Sequence, residues 1–161
     1  LAATAAGFEF KLARCFAFVG PYLPMDTHFA AGNFMQACLK NETIQILGDG
    51  TPHRSLMYGT DLIVWLMKIL TDGKSHRAYN VGSDQTMSIG EMAEAIDKAS
   101  TEFIQRGQIA FPRVQIHGKA APLAKPERYV PSIDRARNEL GLSLTVPLEE
   151  ALRRTYQFYL S

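Results

Sequence analysis

The sequence predicts an α/β protein, and three observations lead to this class. Short apolar runs typical of strands alternate along the chain with longer stretches whose apolar residues recur at helical spacing. Turns that contain glycine and proline separate these segments. No internal repeat and no low-complexity linker interrupts the alternation. With 161 residues, 47% of them hydrophobic, the chain is long enough to bury a sizeable core.

The bulk composition argues against several functional classes. There are 17 basic and 16 acidic residues, so the net charge of +1 gives no reason to expect nucleic acid or a membrane surface as a partner. No apolar run approaches the roughly 18 residues of a membrane-spanning helix. Residues 1–7 are alanine-rich but lack the basic start and long apolar centre of a signal peptide. We therefore expect no nucleic-acid partner, no membrane partner and a cytoplasmic location.

The cysteines and histidines show no pattern of a disulfide framework or a metal site. Cys15 falls in an apolar run and Cys38 in a predicted helix, so we expect two buried, reduced thiols, which suits a reducing cytoplasm. The histidines lack the spacing of metal ligands and are interpreted as loop or surface residues. They are His28, His53, His76 and His117. We expect no bound metal.

The first part of the chain is predicted to contain a buried strand and a helix. Residues 1–6 are typical of the last turns of a helix, which Gly7 would end. Residues 8–19 are rich in Phe, Leu, Val and Cys, and their length suits a buried strand. A loop at 20–24, with one glycine and two prolines, breaks that strand. Helical spacing then predicts a helix over 29–39.

The middle of the chain is predicted to contain three extended segments and one strongly apolar helix. Residues 43–47 form a β-type run that ends in Gly-Asp-Gly-Thr-Pro, a strong turn signal. Residues 55–58 and 78–81 are also predicted to be extended. Between them, residues 61–70 are apolar almost all round, which predicts a helix buried between layers. Asp61, just inside this helix, is interpreted as a dipole and capping group.

A capping box predicts where the next helix begins. The hydroxyl of Ser88 can accept from the backbone N–H of Glu91, and the Glu91 carboxylate can accept from the backbone N–H of Ser88. The apolar residues that follow predict an amphipathic helix to about residue 100. Residues 109–116 are predicted to be extended, with Pro112 restricting them to a sheet edge or a break.

The chain is predicted to end in two helices. The first spans residues 132–140, with Ser132 as its N-cap and Gly141 as its stop. The second spans residues 148–160. The stretch before them, 117–131, holds three prolines and is the least regular part of the sequence.

Four motifs form a set that is more specific than any one of them. The first is Arg-Cys-Phe-Ala-Phe-Val-Gly-Pro at 14–21, and the second is Gly-Asn-Phe at 32–34. The third, at 46–61, reads Ile-Leu-Gly-Asp-Gly-x-x-x-Arg-Ser-x-x-Tyr-x-x-Asp. The fourth, within 131–152, combines Asp-Arg-Ala-Arg, Leu-Gly-Leu and Val-Pro-Leu-Glu-Glu-Ala-Leu. This set resembles the second half of an extended short-chain dehydrogenase, the NAD-dependent family of nucleotide-sugar epimerases, dehydratases and decarboxylases.

The resemblance implies the C-terminal portion of an extended Rossmann-type fold, with the last parallel-sheet strands joined to a small mixed α/β substrate-binding domain. It assigns residues 1–24 to the end of the NAD-binding Rossmann half. It assigns 25–161 to the nucleotide-sugar-binding half, with 55–82 returning to the Rossmann sheet. The family's glycine-rich loop and Tyr-x-x-x-Lys pair are expected upstream of Leu1. NAD would then be bound mainly by that N-terminal half, and no catalytic residue is expected in this chain.

The resemblance also implies which residues border the cofactor. In the family, the segment that matches residues 14–21 lies beside the nicotinamide and the sugar diphosphate. We therefore assign Phe16, Ala17 and Phe18 to cofactor binding. Ala17 occupies the place of a family asparagine, so one polar contact is either missing or supplied elsewhere. The Gly-Asp-Gly at 48–50 lacks the spacing of a dinucleotide fingerprint and is interpreted as a turn.

Five residues are expected to bind the nucleotide diphosphate sugar. Asn33 matches a family asparagine at the nucleotide diphosphate, and an amide can donate there without adding charge. Arg54 would grip the pyrophosphate, for which a planar guanidinium is well suited. Leu47 falls where the family packs a residue against the base. Arg128 and Tyr129 lie in the region where family members place an arginine or tyrosine on the nucleotide, although an ordinary solvated cation explains Arg128 equally well.

Two functional interpretations stay open at this point. In the first, the intact protein is an NAD-dependent epimerase, dehydratase or decarboxylase and works as a homodimer, while this chain alone has no turnover. Arg54-Ser55 and Asn33-Phe34 favour the branch of UDP-sugar decarboxylases and epimerases. In the second, the chain is a non-catalytic nucleotide-binding or interaction module derived from the same family.

Overall fold

The computed structural model describes residues 7–25, 29–103, 113–119 and 125–161. The predicted helix end at 1–6, His28 and the first part of the extended segment at 109–116 lie outside the described residues. Within the described residues the strands are β1 (Lys11–Cys15), β2 (Phe18–Val19), β3 (Ile44–Ile46), β4 (His53–Arg54), β5 (Met57–Tyr58), β6 (Arg77–Val81), β7 (Met87–Ser88) and β8 (Val114–Ile116). The helices are α1 (Ala30–Leu39), α2 (Gly59–Asp72), α3 (Ile89–Ser100), α4 (Asp134–Leu140) and α5 (Leu148–Leu160).

Most of the strand pairs are parallel. β1 pairs with β6 in parallel, from Lys11 opposite Arg77 to Cys15 opposite Val81. β2 pairs with β5 and β3 with β8 in the same sense, whereas β4 and β7 are antiparallel. Parallel neighbours require long crossover connections, and α1 lies in the connection from β2 to β5. The α/β class predicted from the sequence is therefore confirmed.

Two apolar clusters lie on either side of the β2–β5 pair. Side chains alternate between the faces of a strand, so Val19 and Tyr58 belong to one cluster while Phe18 and Met57 belong to the other. The first cluster is built mainly on α1, α3 and α5 and includes Phe34, Met35, Cys38, Met92, Ile96, Leu152 and Tyr156. The second includes Trp65, Ile69, Tyr79, Val81, Ile133 and Ala136. The buried position predicted for Cys38 is confirmed.

The predicted strand over residues 8–19 is in fact two strands, and the first is not buried. β1 ends at Cys15 and β2 begins at Phe18, so the chain passes from the β1–β6 pair to the β2–β5 pair. Leu12 is 48% exposed and the Cys15 thiol is exposed. The predictions of a buried strand and a buried Cys15 are therefore wrong. The physical reason is that, within the described residues, β1 has a strand neighbour along one edge only.

The helix predicted over 61–70 is longer, and it is not buried all round. α2 buries Trp65 and Ile69 but leaves Ile63, Met67 and Leu70 more than half exposed. The helix packs against strands and α4 on one side, and among the described residues nothing covers the other. The expectation of burial between layers is therefore wrong for the described part of the chain.

Asp61 has the position predicted for a helix-dipole group, but it does not cap its own helix. It lies in the first turn of α2, where a negative charge suits the helix dipole. Its buried carboxylate, however, accepts from the backbone N–H groups of Thr145 at 3.0 Å and Val146 at 3.2 Å, and from the Thr145 hydroxyl. Asp61 thus ties the loop before α5 to the start of α2 instead of capping its own helix.

The helix-end predictions were confirmed at two ends and wrong at a third. At α3 both bonds of the capping box form, from Glu91 N to Ser88 Oγ at 3.1 Å and from Ser88 N to Glu91 Oε2 at 2.7 Å. Gly141 ends α4 in the left-handed conformation, with φ of 66°. Ser132 is not the N-cap of α4, because the helix begins at Asp134 and the Ser132 hydroxyl donates to the Asp134 side chain.

Candidate functional site

A cleft of about 570 Å³ opens beside the break between β1 and β2. Its walls come from that break, the loop after β2, the start of α1, the end of β4 with Leu56 after it, the start of α3, and Tyr129. The lining residues are Phe16, Ala17, Phe18, Leu23, Pro24, Phe29, Ala30, Ala31, Arg54, Leu56, Ile89, Met92 and Tyr129. Except for Arg54 and the Tyr129 hydroxyl, the side chains in this set are apolar. Such a lining, with a few polar groups, is typical of a small-molecule site.

The backbone fixes the three residues that were assigned to the cofactor. Phe16 N donates to Val81 O at 3.0 Å, which continues the β1–β6 pairing by one residue. Met57 N donates to Ala17 O at 3.1 Å, which begins the β2–β5 pairing. Phe16, Ala17 and Phe18 therefore occupy the step between two parallel pairs, and all three line the cleft. This step lies at the carboxyl end of β1, the end of parallel strands at which α/β proteins bind ligands.

Arg54 supplies the positive charge of the cleft. It lies in β4, whose pairing with β7 places it opposite Met87. Its Nη1 donates to the His53 carbonyl at 2.9 Å, and its Nη2 lies 3.3 Å from the Glu127 carboxylate. Because Glu127 is 71% exposed, this ion pair is weak and screened by solvent. A phosphate group could therefore replace Glu127 as the partner of the guanidinium at little cost.

Tyr129 lines the cleft beside Arg54. His53 N donates to Glu127 O at 2.7 Å and Tyr129 N donates to His53 O at 3.0 Å, so residues 127–129 pair with β4 in a strand-like manner. The Tyr129 ring lies 4.8 Å from the Phe16 ring, and the Arg54 guanidinium carbon lies 5.9 Å from the Tyr129 ring centre. Phe16, Tyr129 and Arg54 thus form a continuous stack of two rings and a cation, held by aromatic and cation–π attraction.

Three predicted substrate residues lie outside the cleft lining. Leu47 is 84% exposed in the turn after β3, and Asn33 is exposed on α1 although Ala30 and Ala31 of the same helix line the cleft. Arg128 is exposed and donates to the Thr86 hydroxyl at 3.1 Å. The structure therefore brings together Phe16, Ala17, Phe18, Arg54 and Tyr129 and leaves these three at its surface, where their roles stay predictions.

Several lining residues escaped the sequence analysis. Leu23, Pro24, Phe29, Leu56, Ile89 and Met92 are ordinary apolar residues with no motif of their own. For Leu23, Pro24 and Phe29, which follow the parallel strand β2, the available signal was positional, because residues after the carboxyl ends of parallel strands gather at one edge of a sheet. His53–Arg54 was also not predicted to be a strand, since the turn residues before it, which end in Pro52, obscure the pattern.

The carboxylates near the site stabilise turns and a helix end. The Thr51 N–H donates to Asp49 at 3.0 Å and the Thr51 hydroxyl at 2.9 Å, and these bonds hold the pKa of Asp49 below its usual value. The backbone N–H of Ser88 likewise lowers the pKa of Glu91.

Within the described ranges, no group of three or more His, Cys, Asp or Glu residues is placed to hold a metal ion. In the same ranges no helix has the length and hydrophobicity needed to cross a membrane.

The sequence matches one protein family and a set of curated relatives. A family profile described as "NAD dependent epimerase/dehydratase family" matches residues 1–82. UDP-glucuronic acid decarboxylase 1 of Xenopus tropicalis is 29% identical over 153 residues, which cover 95% of this chain and 34% of the relative. UDP-glucuronic acid decarboxylase 6 of Arabidopsis thaliana is 27% identical over 146 residues, 91% of this chain and 39% of the relative. The chain thus spans between a third and two fifths of the length of these relatives.

Solved structures share the fold at low sequence identity. An epimerase from Methanothermobacter thermautotrophicus superimposes with a TM-score of 0.79 at 24% identity, over 98% of this chain and 45% of that one. UDP-glucose 4-epimerase from Thermotoga maritima, determined with UDP-glucose, gives a TM-score of 0.80 at 17% identity, over 98% of this chain and 48% of that one. UDP-glucuronic acid 4-epimerase from Bacillus cereus, in complex with UDP-glucuronic acid and NAD, gives a TM-score of 0.76 at 22% identity, over 97% of this chain and 46% of that one. The predicted Rossmann-type fold class is confirmed by these neighbours.

Proposed function

The chain belongs to the NAD dependent epimerase/dehydratase family, and from this membership we propose that it is the nucleotide-sugar-binding part of an NAD-dependent epimerase, dehydratase or decarboxylase. The whole protein would be cytoplasmic and homodimeric. Residues 1–24 would complete the NAD-binding half and 25–161 form the nucleotide-sugar-binding half. Support for assigning 55–82 to the Rossmann sheet comes from β6, which pairs with β1 along its full length.

The observation that carries the proposal is the position of Arg54. It is the charged residue among the described lining residues, and it stands at the end of the Phe16–Tyr129 stack. A nucleotide diphosphate sugar combines an anionic diphosphate with a flat base and with two puckered, hydroxylated rings, the ribose and the sugar. The guanidinium would hold the diphosphate through paired N–H donors, and the apolar walls would exclude water from the rings beside it. Binding energy gathered there can position the sugar for reaction.

NAD fits the residues assigned to it. The small Ala17 side chain lies between two phenylalanines at the step from β1 to β2, so this surface leaves room for the edge of the flat nicotinamide ring. When bound, NAD supplies the hydride acceptor for oxidation of a sugar carbon. Phe16, Ala17 and Phe18 would border the nicotinamide and shield it from water, while the rest of the cofactor would be held by the remainder of the protein.

The branch of the family is proposed from the relatives. The curated relatives described above are named UDP-glucuronic acid decarboxylases, and one structural neighbour was solved with UDP-glucuronic acid and NAD. We therefore take UDP-glucuronic acid as the first ligand to test, with UDP-glucose and dTDP-glucose beside it. A tighter Kd for one of the three would identify the preferred nucleotide sugar, and the product formed from it would separate the branches.

The binding role of Arg54 is testable with single substitutions in the full-length protein. Arg54→Ala should weaken the Kd for UDP-glucuronic acid, measured by calorimetry, by about 30-fold, which corresponds to about 2 kcal/mol for losing a charged hydrogen-bonded partner. The Kd of Arg54→Lys should lie between those of wild type and Arg54→Ala, because an ammonium keeps the charge but lacks the paired N–H donors of the planar guanidinium. Arg135→Ala is the matched control, since Arg135 is an exposed arginine that donates to Ala78 O and does not line the cleft. Equal affinities for wild type and Arg54→Ala would refute the proposal.

The alternative is a non-catalytic module, and the exposed apolar side of α2 is the observation that favours it. None of the six tyrosines is followed by a lysine four residues on, so we expect no turnover by the 161-residue chain alone under either interpretation. The two interpretations differ for the full-length protein. NAD-dependent conversion of a nucleotide sugar by that protein would support the enzyme, and binding without conversion of any of the three ligands would support the module.

A further inference from the structure

The loop that closes one side of the cleft has a strained backbone. Residues 20–25 follow β2, and Leu23 and Pro24 of this loop line the cleft. Leu23 N donates to Gly20 O at 3.3 Å, which closes the turn. Between them, Tyr22 has a φ of 61°, in the left-handed region that bulky side chains rarely adopt. Such a conformation persists only where the surrounding structure holds it.

The last turn of α5 makes the contacts that hold this loop. The Tyr159 hydroxyl donates to Leu23 O at 2.8 Å, across 136 residues of sequence. The Tyr22 ring meets the Phe158 ring edge-on, with centroids 4.9 Å apart. Burial raises the pKa of Tyr159, so its hydroxyl keeps the proton that it donates. Tyr159 thus fixes the Leu23 carbonyl in the cleft wall. Phe158, beside it on α5, supports the strained Tyr22.

The loop also rests directly on α1. A Cβ at Gly32 would lie 2.1 Å from the Pro24 carbonyl oxygen, so only glycine allows this close approach. The loop is therefore clamped between the start of α1 and the end of α5. The α1 side is a steric fit, whereas the α5 side depends on one hydrogen bond and one ring contact.

We propose that Tyr159 is a positioning residue for the cleft, which acts by holding the Leu23 carbonyl and thereby keeping residues 20–25 in place as a wall of the ligand site. This inference rests on the nucleotide-sugar function proposed above. Tyr159 does not line the cleft, so its effect on binding passes through the loop. The family motifs that led to the other site residues do not include it.

The test uses Tyr159→Phe in the full-length protein, which keeps the ring and removes the hydroxyl. We expect the Kd for UDP-glucuronic acid to weaken about threefold or more, the scale of losing one net hydrogen bond. Hydrogen–deuterium exchange of the peptide that contains residues 20–25 should become faster in the unliganded variant. In a turnover assay KM should rise while kcat stays within about twofold, because a binding wall is loosened and no reacting group is changed.

Tyr156→Phe is the matched control. Tyr156 lies on the same helix, and its hydroxyl donates to Ile96 O in α3 at 3.2 Å. Its loss should lower Tm while leaving the Kd and the exchange of residues 20–25 at wild-type values. If both variants weaken binding in proportion to their loss of stability, the role of Tyr159 is merely structural and the inference is overturned.

The failures of the two proposals are distinguishable. If Arg54→Ala binds weakly but Tyr159→Phe binds and exchanges like wild type, the positioning role alone is overturned. If Arg54→Ala binds like wild type, the proposed function fails, and the positioning role for that ligand fails with it. Weaker binding by both variants, with faster loop exchange only in Tyr159→Phe, supports both.

Discussion

Tyr129 shows how a single side chain gains its role from its neighbours. Its ring is about half exposed, yet it lies between the Phe16 ring and the Arg54 guanidinium. The ring restricts the positions that Arg54 can take, which reduces the entropy lost when a ligand binds. Sequence position alone did not separate Tyr129 from Arg128. The structure places the first in the cleft wall and the second at the surface against Thr86.

We predict that Tyr129 acts through its ring. Tyr129→Phe should keep the Kd for UDP-glucuronic acid within about twofold of wild type, since the stack on Phe16 is preserved. Tyr129→Ala should weaken it about five- to tenfold, because both the aromatic and the cation–π contact are lost. Calorimetry on the full-length protein checks both values. A large loss with Tyr129→Phe would show that the hydroxyl is the important group instead.

At the scale of the element, the N-terminal turn of α3 is held by a capping box and also lines the cleft. The capping box at Ser88 and Glu91 fixes where the helix begins. Ile89 and Met92 follow within the first turn and line the cleft, while Ile96 packs in the first apolar cluster. A frayed first turn would therefore move two lining residues as well as reduce stability.

Ser88→Ala should reveal this connection. We expect a loss of about 1 kcal/mol in the free energy of unfolding, measured by urea denaturation, because one N-terminal N–H loses its acceptor. Ser88→Thr retains a hydroxyl and should stay close to wild type. If Ser88→Ala were as stable as wild type, water would be replacing the cap at no cost.

α2 is the element for which a local pattern led to a wrong expectation. Its apolar residues surround the helix, and this predicted burial on all sides. The described residues cover the side of Trp65 and Ile69 and leave Ile63, Met67 and Leu70 exposed. Hydrophobicity reports what a helix could bury, whereas the packing of its neighbours decides what it does bury.

At the scale of the whole molecule, long-range polar contacts join distant parts of the chain. Arg77 in β6 donates to both oxygens of Glu139 in α4, and the Tyr79 hydroxyl donates to the same carboxylate at 3.1 Å. The Arg77 guanidinium holds the pKa of Glu139 below its usual value. Within α5, hydrogen bonds from Arg153 and then Arg154 lower the pKa of Glu150 to about 2.

These carboxylates predict how stability depends on pH. Their pKa values are lower in the folded state, so their contribution is fully present above the ordinary value of 4.5 and is lost as pH falls towards about 2. Urea unfolding at several pH values should show a decrease in the free energy of unfolding across this window. Glu150→Gln should make the decrease shallower, and Glu149→Gln, one residue earlier, is the control for the change in net charge. An identical pH profile for Glu150→Gln would contradict the assignment.

Much of the local structure was predictable because its causes are local. The capping box at Ser88, the left-handed stop at Gly141 and the bounds of α5 were all correct, since each depends on residues within a few positions of one another. Ser132 failed as an N-cap because the helix begins at Asp134, so that Ile133 is the N-cap, and the Ser132 hydroxyl bonds to the Asp134 side chain instead. The break at Phe16–Ala17 was missed because strand changes depend on distant partners, Val81 and Met57.

By itself, the sequence determined the α/β class and the family, because these are carried by periodicity and by motifs of neighbouring residues. The resemblance to that family predicted Phe16, Ala17, Phe18, Arg54 and Tyr129 as site residues, and the structure places all five along the cleft. Only the tertiary structure decided that Leu47, Asn33 and Arg128 lie at the surface, that Asp61 ties a remote loop, and that Tyr159 contacts Leu23. The last two outcomes depend on which segments meet across more than 80 residues of chain. No local pattern encodes such long-range contacts, since they follow from the packing of the whole molecule.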